Sequence, residues 1–318
     1  MKLLRNGIIT LIAFFAVYVG LGGIYKVELY NLAMDFEAGL SGLEEKSLAL
    51  PDGEVRYYEN QQAGKKPTVL LIHGFAAYKE NWLRFARPLK DDFHVIALDL
   101  PGHGKSFKNP EYVYSLTNQA KWVNQFLSAL GVNKVHIAGN SMGGAISTLF
   151  SANYPEKVLS TTLLNPGGIQ EYRPELMDYI DRGENPLVVK NAQEFSFLMD
   201  FALEQKPFVP WPITEVLAER ASSLAELHHK VRQDTLPERG KAFEPVLHKV
   251  QSPTLIVWGK QDRICDYRNA EIFDRYIANS KVAILDGVGH APMVEIPKES
   301  AAMLVEHIES GMTIATVE

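Results

Sequence analysis

Gly139-Asn140-Ser141-Met142-Gly143 sets a serine between two glycines in the pattern Gly-x-Ser-x-Gly, directly after the apolar run 135–138 and before a helical run to residue 154. A serine hydroxyl is a weak nucleophile until a base takes its proton and a tight strand-to-helix turn exposes it. Glycines on both sides, with Gly144, let the backbone pass through such a turn without Cβ clashes. The helix that follows directs its N-terminal amides at a developing oxyanion. The chemistry this predicts is attack on a carbonyl through a covalent acyl intermediate.

Such a serine needs a histidine base and a carboxylate that orients it, in the chain order serine, acid, histidine. His290, in Asp286-Gly287-Val288-Gly289-His290-Ala291-Pro292, follows the last apolar run on a glycine-flanked loop. His94 and His136 flank or enter strands, His228 and His229 are adjacent in a helical region, and His307 falls in the terminal helix; these read as structural or solvated. Asp262, in Trp258-Gly259-Lys260-Gln261-Asp262-Arg263, stands after the seventh apolar run and is the favoured acid, with Asp266 as its rival. The alternative position after the sixth run shows Asn165-Pro166-Gly167-Gly168 and offers no carboxylate. Asp99 and Asp286 read as strand-end turn residues. The backbone amides of Met142 and of Phe75, in His73-Gly74-Phe75, are the expected oxyanion donors, with His73 as a turn stabiliser.

These residues require a scaffold that brings several loops to one edge. The runs 46–50 and 55–59, joined by Pro51-Asp52-Gly53, read as paired strands. The runs 68–72, 95–98, 135–138, 159–164, 254–258 and 282–285 are short, apolar and rich in β-branched residues, as strands buried on both faces should be. Helical stripes fall at 116–130, 143–154 and 300–308. The alternation predicts an α/β fold: a mostly parallel sheet of about eight strands with helices on both faces. Between residues 168 and 250 the pattern turns helical and proline-interrupted, which predicts a helical cap inserted after strand six, with 214–233 as one long amphipathic helix. The expected organisation is a hydrophobic segment at 1–27, a connecting stretch to about residue 45, a core at 45–168 and 250–312, and the cap at 169–249. Phe195, Phe197, Phe201 and Trp211 of the cap are candidates for an apolar substrate pocket.

Residues 7–25 carry no charge and match the length of a bilayer-spanning helix, with Lys2 and Arg5 ahead of them. This predicts a single N-terminal membrane anchor with the remainder on the non-cytoplasmic side, periplasmic in a bacterium. A cleaved signal with secretion, or a buried or surface helix, are the other readings. A net charge of −6 provides no field for nucleic acid. The one cysteine, Cys265, can form neither an internal disulfide nor a cysteine-rich metal site. Gly102-His103-Gly104-Lys105-Ser106 contains a Gly-Lys-Ser string, but Asp99 stands where a phosphate loop needs its first glycine. No cofactor is implied, and the sequence leaves the oligomeric state open.

Taken together, His73-Gly74-Phe75, residues 99–106, Gly139 to Gly144, Trp258 to Asp262 and Gly289-His290 resemble the α/β-hydrolase family from residue 45 onward. Within it, the segment His73 to Trp82, Trp258 to Asp262 and the N-terminal hydrophobic stretch are similar to membrane-anchored monoacylglycerol lipases and bacterial lipases. That resemblance implies hydrolysis of an acylglycerol or other carboxylic ester, with membrane lipid as a partner of the N-terminal segment. Gly139 to Gly144 and Asn165 to Gly168 also look like the carbon-carbon hydrolases of aromatic ring-fission products, which remain the alternative. A ligand-binding member of the fold without turnover is the remoter one.

Overall fold

The structure, a computed structural model, describes residues 20 and 22–315. Most of the 7–25 segment expected to anchor the chain lies outside the described residues. Among those residues, no helix is long and apolar enough to cross a membrane.

The stretch expected to be a mere connector is a helix, α1 (Lys26–Leu40). Its buried residues are Tyr30 and Ala38, while Leu32 and Phe36 are each 66% exposed. Polar Glu28, Asp35 and Glu37 interrupt any apolar stripe, so its helical state follows from the surfaces it bridges rather than from its own pattern.

Eight strands follow: β1 (Glu44–Leu50), β2 (Gly53–Glu59), β3 (Thr68–Ile72), β4 (His94–Leu98), β5 (Val135–Asn140), β6 (Val158–Leu164), β7 (Thr254–Gly259) and β8 (Ser280–Leu285). They form one sheet in the order β1-β2-β4-β3-β5-β6-β7-β8. β1 pairs antiparallel with β2 and β2 with β4; every other pairing is parallel. β3, β4, β5 and β7 are buried along their whole length, so they read as largely apolar runs, while the edge strand β8 has no fully buried residue.

Helices α2 (Leu116–Ala129), α3 (Met142–Asn153) and α8 (Ala270–Tyr276) cover one face, with Trp122, Phe126, Phe150 and Phe273 in a common core. Helix α9 (Pro297–Ala315) and the single turn Leu83–Ala86 cover the other, where Trp82, Phe85, Leu304 and Ile308 pack. Because β3 lies between β4 and β5, chain direction across the sheet reverses there, and the crevice beyond the carboxyl ends of β3 and β5 is the natural place for a ligand.

Between β6 and β7 stand α4 (Leu176–Asp181), α5 (Ala192–Ala202), α6 (Trp211–Ser223), α7 (Ala225–Thr235) and the turn Glu244–Leu247. The expected single helix over 214–233 is broken at Leu224. Ser222 and Ser223 donate their hydroxyls to the carbonyls of Glu219 and Arg220, at 3.0 and 2.8 Å, ending α6 with side-chain bonds that compete with the helical ladder. Helix α1 seats on α6: Tyr30 packs with Ile213 and Val216, Arg220 bonds the Tyr30 hydroxyl, and Lys26 pairs with Glu215 and Glu219. Its other end is tied to the core by Ser41, whose hydroxyl donates to the Leu83 carbonyl at 2.6 Å, and by Glu37 with Arg84 and Arg87.

Candidate active site

Ser141 sits between β5 and α3 with φ 56° and ψ −118°, outside the regions an L-residue ordinarily enters. Three backbone bonds hold it there. Its amide donates to Leu164 at 3.1 Å, and its carbonyl accepts from Ala145 at 3.1 Å and Gly167 at 2.8 Å. Gly143 is required by space, since a Cβ there would collide with the carbonyls of Ile72 and His73 at the end of β3. The oxyanion loop and the elbow therefore pack backbone on backbone.

Asp262, after β7, has a fully buried carboxylate that accepts five hydrogen bonds. Oδ1 takes the amides of Ile264 and Cys265, at 2.8 and 2.9 Å. Oδ2 takes Asn165 Nδ2 at 2.7 Å, Trp258 Nε1 at 3.2 Å and His290 Nδ1 at 2.8 Å. An ionised carboxylate is acceptor-only, so the shared proton sits on Nδ1 and leaves Nε2 as the free base. Asp266, the rival acid, instead binds Arg268 through both oxygens, at 2.9 and 2.6 Å, and caps the turn Tyr267–Asn269.

The histidine loop hangs from residues that sequence reasoning did not select. Asn140 Nδ2 donates to the His290 carbonyl at 2.9 Å, and Asn165 Nδ2 also reaches the Gly289 carbonyl at 3.1 Å. Glu295, buried in the turn Pro292–Glu295, accepts the amides of Gly289 and Ala291 at 2.9 and 3.1 Å. The same carboxylate accepts the amides of Glu204 and Gln205 at 2.9 Å, joining the histidine loop to the end of α5. Only the position of Asn165, where an acid was sought and not found, marked this set in the sequence.

Asp99 does more than end a strand. It is fully buried and accepts the backbone amides of Lys79 and Lys105, both at 2.9 Å, and the Lys79 ammonium at 3.0 Å. Burial opposes its charge most strongly, but the Lys79 ammonium, His73 and the amides of Lys105 and Lys79 together hold the carboxyl below its ordinary range. Lys79 also meets Glu45 at 2.9 Å and Glu80 at 3.1 Å. Glu45 is lowered to about 2, the Lys79 and Lys105 ammonium groups overcoming the cost of its burial. The Gly-Lys-Ser string is the collar of this carboxylate: a Cβ at Gly104, at φ 51°, would strike it, and Ser106 donates to the Asp99 carbonyl at 2.7 Å. This knot pins, at Lys79, the far end of the loop that follows β3 and carries Phe75.

His73 is buried, and burial lowers its pKa. Its Nδ1 donates to the Gly74 carbonyl at 2.7 Å, while Nε2 accepts the Leu100 amide at 3.0 Å, so it stabilises the turn. His228 is a buried packing residue, but among the described residues neither ring nitrogen has a hydrogen-bond partner; its ring packs 5.6 Å from that of Phe75, and burial pushes it down to about 4.

Ser141 and His290 open into a groove of about 500 Å³ between core and cap, with Phe75, Leu198, Met199 and Leu217 on its apolar walls. Of the aromatic residues expected there, Phe195 borders the groove, whereas Phe197, Phe201 and Trp211 lie outside its lining. The helical period explains the split. Phe195, Leu198, Met199 and Ala202 share the groove face of α5, while Phe197 and Phe201 stack on each other at 5.7 Å and meet Tyr179 of α4 in tilted and edge-on contacts. Asp262, Cys265 and His290 also bring ligand-type atoms within 4.8 Å of one another. They suit a metal poorly, because burial pushes the Cys265 thiol up and the Asp262–His290 bond already uses the facing atoms.

Residues 67–297 match the alpha/beta hydrolase fold family, and the chain belongs to it. Lipase 1 of Psychrobacter immobilis is 33% identical over 271 residues, 84% of this chain and 85% of that protein. The monoacylglycerol lipase ABHD6 of Bos taurus is 29% identical over 280 residues, 85% of this chain and 83% of that protein. A solved membrane phospholipase A, described as a bacterial virulence factor, is 38% identical with a TM-score of 0.88, covering 98% of this chain and 99% of that one.

Proposed function

We propose that the chain is a serine carboxylic-ester hydrolase of the lipase kind, acting on acylglycerol-type esters through an acyl-enzyme. The observation that carries the reading is the convergence of the Ser141 elbow and the Asp262–His290 pair at the floor of one large apolar groove. In this reading His290 Nε2 takes the Ser141 proton as the hydroxyl attacks the ester carbonyl, and Asp262 holds the imidazole in the required tautomer. The amides of Phe75 and Met142 stabilise the oxyanion. His290 then protonates the leaving alcohol, and water repeats the cycle to release the acid.

The acyl chain occupies the groove beneath α5 and α6. The N-terminal segment holds the protein at a membrane, on the non-cytoplasmic side. Exposed Leu32 and Phe36 of α1, with Phe208 at 86% exposure, give that side an apolar surface suited to a lipid interface. Relatives named lipase, monoacylglycerol lipase and membrane phospholipase A support the ester and its lipid character.

The test is turnover of esters of graded acyl length, with Ser141→Ala losing about a millionfold in kcat and losing its label from a fluorophosphonate. Absence of both turnover and labelling in the unaltered protein sinks the reading. Fast cleavage of a ring-fission dienoate with poor ester turnover assigns the carbon-carbon reaction instead.

A further inference from the structure

Ser141 borders a second, smaller cavity of about 120 Å³ on its other side, and Phe75, Ser141, Leu187 and Ile264 line both spaces. The two differ in chemistry. The large groove is apolar, whereas the small cavity, though apolar over most of its wall, also carries Arg232 of α7 and Arg239, which follows the turn Leu236–Glu238.

Neither arginine has an acidic partner among the described residues. Arg239 Nη2 donates to Thr235 Oγ1 at 2.6 Å, and the Arg232 guanidinium makes no hydrogen bond or ion pair there. The cavity's carboxylate and its asparagine are already engaged. Asp266 is bound by Arg268 through both oxygens, and Asn269 Oδ1 accepts the amides of Glu171 and Tyr172 at 3.0 and 3.1 Å. Two arginines thus line one partly enclosed space that Ser141 also borders, with most of their N–H donors unused among the described residues.

We propose that this cavity is the subsite for the alcohol half of the ester, and that it selects an alcohol carrying a phosphate. The inference rests on the ester-hydrolase reading of Ser141 and adds the class of head group. An ester lying across Ser141 places its acyl chain in the groove and its alcohol in the small cavity. A phosphate of about −1.5 to −2 charge matches two guanidinium forks, which bind phosphate oxygens bidentately. The electrostatics agree. Burial lowers Arg239 to about 10 against the opposing influence of Cys265, with the Arg232 charge a smaller aid, and burial alone lowers Arg232. A cation so placed gains from an incoming anion. Hydrolysis breaks only the acyl C–O bond: water supplies hydroxyl to the acyl carbon and a proton to the alcohol, and the phosphate ester is untouched.

The experiment compares kcat/KM for soluble substrates of one short acyl chain on three alcohols: glycerol, glycerol phosphate and glycerate. The unaltered protein is expected to favour the phosphate ester over the glycerol ester by at least about tenfold. Arg239→Gln and Arg232→Gln are each expected to collapse that ratio through KM, and Arg239→Lys to restore part of it. Free glycerol 3-phosphate should compete with the phosphate-free ester in the unaltered protein while glycerol does not, a readout independent of whether the variants fold. A ratio near one that neither variant changes, or preference for the glycerate ester without one for the phosphate, overturns the proposal. Loss of turnover on every ester, by contrast, would count against the hydrolase reading itself.

Discussion

The catalytic loops and the cap above them are held together by different forces. Around Ser141 and His290, buried polar groups tie loop to loop: Asp262 accepts five hydrogen bonds, Glu295 accepts four, and Asp99 accepts three together with its buried lysine. In the cap, cohesion comes largely from apolar contact, such as the Tyr179–Phe197–Phe201 cluster and the packing of Tyr30 of α1 on Ile213 and Val216 of α6. The ion pairs of Arg173 with Asp178 and Asp181 there are exposed and contribute little. Directional bonds fix one geometry, whereas apolar packing tolerates exchange of side chains of similar volume. The core is therefore built to keep a reaction, and the cap to vary what is brought to it.

That contrast predicts effects of unequal kind and size. Asp262→Asn removes the acceptor that selects the His290 tautomer, and kcat on a soluble ester is expected to fall by about four orders of magnitude, measured beside an unchanged far-ultraviolet circular dichroism spectrum. A decrease of only a few fold would mean that Asp266 or another acid serves His290. Lys79→Met leaves Asp99 buried without its cation, and urea unfolding should show a loss of about 3–5 kcal/mol. Pairing it with Asp99→Asn should recover part of that loss, and full additivity of the two would break the argument that they act as one unit. The smallest effect belongs to the cap. Leu198→Trp, on the groove face of α5, is expected to lower kcat/KM for long acyl esters relative to short ones by about tenfold, with little change in the unfolding midpoint. If that substitution unfolds the protein instead, the cap is as rigidly specified as the core and the comparison fails.

The sheet and the reactive residues were legible because their signals are local. β3 was readable to the residue, and the other strands to within two residues of at least one end, since a strand buried on both faces is an unbroken apolar run. The serine elbow needs its glycines within a few residues, so its pattern survives in the sequence. What was not legible depends on partners far along the chain. Helix α1 owes its conformation to α6, some 190 residues away, where Arg220 meets Tyr30. Asn165 sits 97 residues before the aspartate it bonds, and Glu295 holds backbone amides 90 and 91 residues earlier. Nor does a helical stripe reveal which of two apolar neighbours it faces, so Phe195 and Phe197 looked alike although only the first borders the groove.

The conformation of Ser141 has a consequence for how this chain can change. Its φ of 56° suits glycine, and holding a serine there costs about 1–3 kcal/mol. Yet the hydroxyl is the proposed reagent, and a glycine would erase it. At this one residue stability and chemistry ask for different amino acids, and the carbonyls and amides of Leu164, Ala145 and Gly167 are what hold the serine against that preference.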